Sequence, residues 1–314
     1  MKFPIIRSVR LVATALITGQ LLFSQDAAPA DRNEINSTAT AAKLSDDSPV
    51  VFPKNGPIPA KYPPDVKVVT EAVEKGYSIF PSPCRSMAQI EQIQKEMPAG
   101  VFTPPLSAWQ NLRRVRRILD EGGDLHIMAV GDSIVADTMR SGWVAKLAEA
   151  YPKAHIKATV YVRGGGGCQH YKENGRVAAH IVPRKPDLVF IGGISQKDVE
   201  SIADVIHQIR AGLPDVEFLL VSGVFGSLDP RNPEALAKYP RATGSGPYGK
   251  ALRQLAFDEH CAYFDMTTPW AEYIRSTKLH PHKFHRDAVH ANEMGEQVLS
   301  KVMLAFWTAR PVNN

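Results

Sequence analysis

The chain has 314 residues, 44% of them hydrophobic, with 37 Lys and Arg against 32 Asp and Glu for a net charge of +5. That length and hydrophobic content set it among soluble globular proteins, with one main domain and an N-terminal appendage rather than two large domains. The mild basic excess is partly made by Arg113, Arg114, Arg116 and Arg117, which read as a solvated helix face rather than a nucleic-acid site, so no nucleic-acid partner is expected.

In chain order, Lys2, Arg7 and Arg10 precede the apolar stretch 11–23, and Ala28-Pro29-Ala30 supplies a small-x-small cleavage site. Residues 1–30 are therefore predicted to be a secretory signal peptide cleaved near Ala30, giving a secreted or periplasmic protein. The alternative is an uncleaved anchor, but the stretch is shorter than the ~20 residues of a bilayer span, so no stable membrane insertion is expected after cleavage. Residues 31–64 are rich in Asp, Asn, Ser, Thr, Ala and Pro without periodicity and read as a disordered linker. Residues 65–123 read as a helical N-terminal extension. It holds one helical pattern over Val69 to Gly76 and a stronger one with Trp109, Leu112, Val115 and Leu119 on one face, stopped by Gly122-Gly123.

From Asp124 to residue 310 short β-rich runs alternate with helical stretches, the signature of a parallel sheet covered on both faces. Strands are expected at 125–130, 156–162, 187–191, 217–221 and 262–265. Helical stripes lie at Val135, Met139, Trp143, Leu147 and Tyr151, at Ile202, Val205, Ile206 and Ile209, and at Val298, Leu299, Val302, Met303 and Phe306. Export permits disulfides, yet Cys84, Cys168 and Cys261 are an odd number, so at least one stays free or pairs between chains.

In doubly wound sheets ligands bind at the carboxyl ends of the strands. There the first strand ends in Gly131-Asp132-Ser133, which presents a serine hydroxyl and its N–H at a helix start. The second ends in Arg163 followed by four glycines, Gly164 to Gly167, an opportunity for an oxyanion hole, and the third runs into Gly192-Gly193-Ile194-Ser195. Before the last helix, Asp287-Ala288-Val289-His290 places a carboxylate one turn from an imidazole. The bland alternative for Ser133 is an N-cap serine.

These residues together resemble the SGNH hydrolase superfamily, the GDSL esterases and lipases, over about Asp124 to Trp307. Gly131-Asp132-Ser133 is similar to the family's first block with its nucleophile, and Asp287-x-x-His290 to its last block with the acid and base. Gly167 falls where the family places a backbone oxyanion donor. The resemblance implies a flavodoxin-like three-layer α/β/α sandwich with a central parallel sheet of about five strands. It further implies a serine esterase with Ser133, His290 and Asp287 as catalytic residues, needing neither metal nor organic cofactor. Its substrate would be a small-molecule or polysaccharide ester, with O-acetyl groups on carbohydrate as one class. One block departs: where the family has Gly-x-Asn-Asp, Ile194 stands for the asparagine whose amide would complete the oxyanion hole. The substitute donors are the Gln196 side chain or the Ser195 hydroxyl, beside the backbone amides of Ser133 and Gly167. An O-acyltransferase on a glycan and a non-catalytic carbohydrate-binding descendant are the alternative functions.

Other signals are weaker. The segment 244–251 nearly matches a P-loop, but Ala251 stands where the magnesium-binding Ser or Thr belongs and no strand immediately precedes it, so a substrate-side loop is expected within the Pro- and Gly-rich connection from Phe225 to Tyr248. His280, His282, His285 and His290 lack a regular metal-ligand spacing, and Cys168 is read as packing or disulfide-bonded rather than nucleophilic.

Overall fold

The computed structural model describes residues 59–105, 109–226, 228–238 and 243–309. The expected signal peptide and most of the expected linker lie outside these residues. The first described elements form a hairpin, β1 (Glu71–Glu74) and β2 (Tyr77–Ser82), followed by helix α1 (Met87–Glu96). Helix α2 (Arg113–Glu121) leads into β3 (Gly123–Gly131), α3 (Ser133–Arg140), α4 (Trp143–Ala150) and β4 (Ala154–Arg163). A short turn of helix, α5 (Cys168–Tyr171), precedes β5 (Leu188–Ile191), α6 (Glu200–Gly212) and β6 (Glu217–Val221). The chain ends with α7 (Pro233–Lys238), α8 (Pro247–Asp258), β7 (Ala262–Phe264), α9 (Thr267–Ser276) and α10 (Glu293–Thr308).

The seven strands make one sheet in the order β1-β2-β4-β3-β5-β6-β7. β4, β3, β5, β6 and β7 run parallel and coincide with the expected five, while β1 and β2 add an antiparallel edge. Side chains alternate between two cores because successive residues of a strand face opposite ways. Leu125, Ile127 and Ala129 join the side covered by α2, α3, α4, α9 and α10, and Met128 and Val130 join the side covered by α5, α6 and α8. The result is the three-layer sandwich that the alternating pattern implied.

The helix expected over Val69–Gly76 is corrected to the β1–β2 hairpin. Its apolar spacing is sparse, and pairing decides the outcome: β2 aligns with β4 from Tyr77 opposite Arg163 to Ser82 opposite Ala158. The segment is thereby an edge of the sheet rather than a lead-in to it. The stripe of Trp109, Leu112, Val115 and Leu119 is buried as its spacing predicts. The α2 N-terminus is capped from β6, where Glu217 accepts the N–H groups of Arg114 and Val115 at 2.8 and 2.9 Å. Within the neighbouring cluster, Arg114 pairs with Asp187 and Arg116 with Asp120.

The stripe from Val135 to Tyr151, which has the period of a single helix, breaks after Arg140 into α3 and α4. Side chains take the carbonyls that the break frees: Thr138 O accepts from Ser141 Oγ at 2.6 Å, Met139 O from Ser82 Oγ at 2.6 Å, and Ser141 O from Gln297 Nε2 at 2.7 Å. Because α3 starts directly at the carboxyl end of the central strand β3, its first residue lies over the sheet edge where the other strands also end. Among the described residues no helix is long and apolar enough to cross a membrane.

Candidate active site

Ser133 is the first residue of α3, and the three orphan N–H groups of that first turn are divided unequally. The N-cap Asp132 accepts from Ile134 N–H at 2.9 Å and Val135 N–H at 3.4 Å. Among the described residues the N–H of Ser133 is left without a partner, at the positive end of the helix. The Ser133 side chain, partly exposed, reaches His290 Nε2 with its Oγ at 2.8 Å. On the other side of the ring, His290 Nδ1 lies 2.9 Å from each Asp287 carboxylate oxygen. Asp287 Oδ1 also accepts the N–H groups of Val289 and His290, both at 2.8 Å. Burial works against the Asp287 charge, but these hydrogen bonds outweigh it and hold its carboxyl below the usual range. The structure thus brings Ser133, His290 and Asp287 into one relay, across 157 residues of chain between serine and imidazole.

The relay can deprotonate a hydroxyl. With Asp287 accepting the Nδ1 proton, Nε2 is the basic nitrogen and faces Ser133 Oγ.

Gly167 ends the glycine run as the N-cap of α5. A Cβ there would lie 2.7 Å from Gln196 Oε1 and 2.8 Å from Ser195 O, so the turn after β5 can close onto this loop only at glycine. Among the described residues the Gly167 N–H has no partner either.

Gln196, expected as a substitute donor, is corrected. Its Oε1 accepts Cys168 N–H at 2.8 Å, its Nε2 donates to Gly192 O at 3.0 Å, and the residue is 2% exposed. The amide ties the glycine loop to the end of β5 and does not face a ligand. Ser195 is also engaged: its N–H donates to Asp132 Oδ2 at 2.7 Å and its carbonyl accepts from Gln169 Nε2 at 3.0 Å. Ile194 donates its N–H to the same Oδ2 at 2.7 Å and packs its side chain against both cores. Gly193, at φ +98°, makes room for this carboxylate, since a Cβ would overlap Asp132.

Asp132 therefore binds the turns after β3 and β5 together through four backbone N–H groups, a role that sequence reasoning missed. So are Asp137 and Arg286, which join α3 to the loop carrying Asp287 and His290 through a 2.9 Å ion pair. A buried-helix carboxylate four residues after Ser133, on its side of α3, was the available signal.

His280 and His282 rings lie 4.4 Å apart, while His285 is buried with its ring edge against Phe225. Among the described residues no group of three or more His, Cys, Asp or Glu is gathered as a metal site. Cys84, Cys168 and Cys261 are free and buried, and burial pushes the Cys168 thiol up to about 12, away from a reactive thiolate. Gly244 N–H bonds Thr267 Oγ1 at 2.9 Å and α8 follows, and among the described residues no strand immediately precedes it. Part of the connection from Phe225 to Tyr248, residues 227 and 239–242, lies outside the described residues.

No family model matches the sequence, and no curated protein matches it. Solved structures do match by shape. A two-domain esterase active on acetylated mannans aligns with 66% of this chain and 54% of its own at 16% identity and a TM-score of 0.50. A GDSL-like lipase from Parabacteroides merdae aligns with 59% of this chain and 96% of its own at 16% identity and a TM-score of 0.46. A catalytic mutant of an acetylxylan esterase from Geobacillus stearothermophilus aligns with 60% and 97% at 17% identity and a TM-score of 0.45. The chain shares its fold with the esterase active on acetylated mannans.

Proposed function

We propose that this chain is an exported serine esterase that hydrolyses carboxylic esters, O-acetyl groups on carbohydrate being the substrate class. The observation that carries this reading is the relay from Ser133 Oγ through His290 to Asp287, with contacts of 2.8 and 2.9 Å. His290 Nε2 takes the proton of Ser133 as Oγ attacks the ester carbonyl carbon. The tetrahedral oxyanion forms beside the N–H groups of Ser133 and Gly167. Its collapse breaks the ester C–O bond, and the leaving alkoxide takes the proton back from His290. Water, deprotonated by the same imidazole, then releases the acyl group as its acid and restores Ser133. Asp287 fixes the Nδ1–H tautomer and stabilises the imidazolium between these transfers.

The choice of acetylated carbohydrate follows the mannan esterase that shares the fold, and export follows the charged and apolar N-terminal pattern. The test is hydrolysis of an aryl acetate and of acetylated mannan or xylan oligosaccharides by the chain from Asp31 onward. Ser133→Ala is expected to lower the rate by roughly 10³ or more with an almost unchanged thermal transition. Retention of activity would overturn the reading, as would fluorophosphonate labelling at another residue. Acetyl recovered on an added sugar acceptor instead of as acetate would identify an O-acyltransferase using the same relay.

A further inference from the structure

The loop that carries Asp287 and His290 is fastened to the nucleophile's helix at a buried carboxylate. Asp137 stands four residues after Ser133, one turn along α3 on the same side, and is fully buried. Its Oδ1 accepts from Arg286 Nη2 at 2.9 Å and its Oδ2 from the N–H of Ala291 at 3.2 Å. Arg286 Nη1 in turn donates to the Ala291 carbonyl. Asp137 therefore holds the residue just before Asp287 and the residue just after His290. The loop is closed on itself there by the bridge between His285 and Ala291 and by Arg286 N–H to His290 O at 3.0 Å.

A carboxylate is a costly fastener, because a buried ion pair is often matched by apolar packing. Its charge has a further use in this place. Arg286 Nε is 4.0 Å from Asp287 Oδ2, close enough that a guanidinium released from Asp137 could turn onto Asp287 as a bidentate fork. Asp287 would then share its oxygens between Arg286 and the His290 Nδ1–H.

We propose that Asp137 is a positioning residue for acyl transfer: it clamps both ends of the relay loop to the helix of Ser133 and keeps Arg286 off Asp287. This rests on the Ser133–His290–Asp287 reading above. The distance from Ser133 Oγ to His290 Nε2 is then set by a side chain that touches neither, and displacements of an ångström there are felt in rate.

The test measures kcat and KM on an aryl acetate, normalised to active sites counted by exhaustive fluorophosphonate labelling. Asp137→Asn keeps an acceptor for Ala291 but releases the guanidinium, and is expected to lower kcat per labelled site ~10- to 10²-fold with KM within about threefold. Asp137→Asn combined with Arg286→Met removes the intruding cation and is expected to recover most of that loss. A purely structural role would lower the thermal transition and the number of labelled sites while leaving kcat per site unchanged, and the double variant would do no better than the single. Either result overturns the proposal. If Asp137→Asn does not accumulate as folded protein, Arg286→Lys decides, since Arg286 is partly exposed and an ammonium cannot span Asp137 and the Ala291 carbonyl in one plane. Its kcat is expected ~3- to 10-fold below wild type, and wild-type kcat would overturn the clamp. A wild-type chain with neither hydrolysis nor label at Ser133 would bring down the esterase reading and this inference with it. Activity through Ser133 with an unaffected Asp137→Asn would bring down the clamp alone.

Discussion

The two halves of the site use their polar groups in opposite ways. In the proton-transfer half, Ser133, His290 and Asp287 face one another, and the backbone N–H groups of Val289 and His290 add to the carboxylate without displacing the imidazole. In the half where an oxyanion would form, the polar side chains after β5 are turned to structure: Gln196 bridges Cys168 and Gly192, and the turn's N–H groups close on Asp132. On the proposed esterase reading, the difference teaches that charge stabilisation falls to backbone N–H groups, while proton transfer has its full set of side chains. A site so divided should be sensitive to changes in the relay and improvable at the turn.

The largest departure from that comparison would come from Asp287→Asn. An asparagine cannot hold the Nδ1–H tautomer and stabilise an imidazolium as a carboxylate does, so kcat on an aryl acetate is expected to fall ~10² to 10⁴-fold. A loss under tenfold would show that the proton-transfer half is not what limits the rate. Next in size is Ile194→Asn, which offers an amide where the hydrolase family that the sequence resembles has one. A single oxyanion donor is worth ~10² to 10³ in rate. Part of that is expected here, a ~10- to 10²-fold gain in kcat with little change in KM. The side chain of Ile194 also packs under Gly226, so a lower thermal transition should accompany the gain. Unchanged kcat in a folded variant would mean that the turn does not face the reacting carbonyl.

Much of this was legible in the sequence, and the parts that were not share a physical cause. The five parallel strands announced themselves as short β-rich runs because both of their faces are buried, and Ser133, Asp287 and His290 stood at chain positions where chemistry collects. The segment Val69–Gly76 reads as helix in isolation, since the pairing of β2 with β4 that makes it part of a hairpin is a property of two segments some 80 residues apart and not of either one. Gln196 was misread for a related reason. Its place after Ile194 indicated proximity to Ser133, but the direction of an amide depends on which buried backbone groups need partners, here Cys168 N–H and Gly192 O. Asp132 and Asp137 escape a sequence reading because a carboxylate next to Ser133, or one turn after it on the same helix, reveals its partners only once the loops have met.

The proton-transfer half also rests on a buried neutral imidazole. Burial of His285 against Phe225 pulls its pKa down to about 4 from 6.5. Between those values the unfolded chain binds a proton that the folded chain refuses, so this contribution to stability is intact above about pH 6.5 and is lost progressively as the pH falls toward 4. Thermal unfolding followed across that window should show the decline, with a shallower slope in His285→Gln. An equal slope in the variant would assign the decline to other groups.

A small effect on rate, and the sharpest test of how the two halves differ, belongs to Gln196→Ala. If the amide were an oxyanion donor its loss would appear in kcat, because such a bond strengthens only as charge accumulates on the carbonyl oxygen. The structure commits it instead to one buried N–H and one buried carbonyl, each of which costs about 1–3 kcal/mol when left without a partner. Gln196→Ala is therefore expected to lower the thermal transition by several degrees while kcat per labelled active site stays within about threefold of wild type. Ser195→Ala, which leaves the backbone N–H bond to the Asp132 carboxylate in place, should move both quantities less. Ile194→Asn would keep its gain in the Gln196→Ala background if the two side chains act independently, one on charge and the other on the loop. A fall in kcat of tenfold or more in Gln196→Ala, with the thermal transition unmoved, would return the amide to the oxyanion hole and erase the division between the halves.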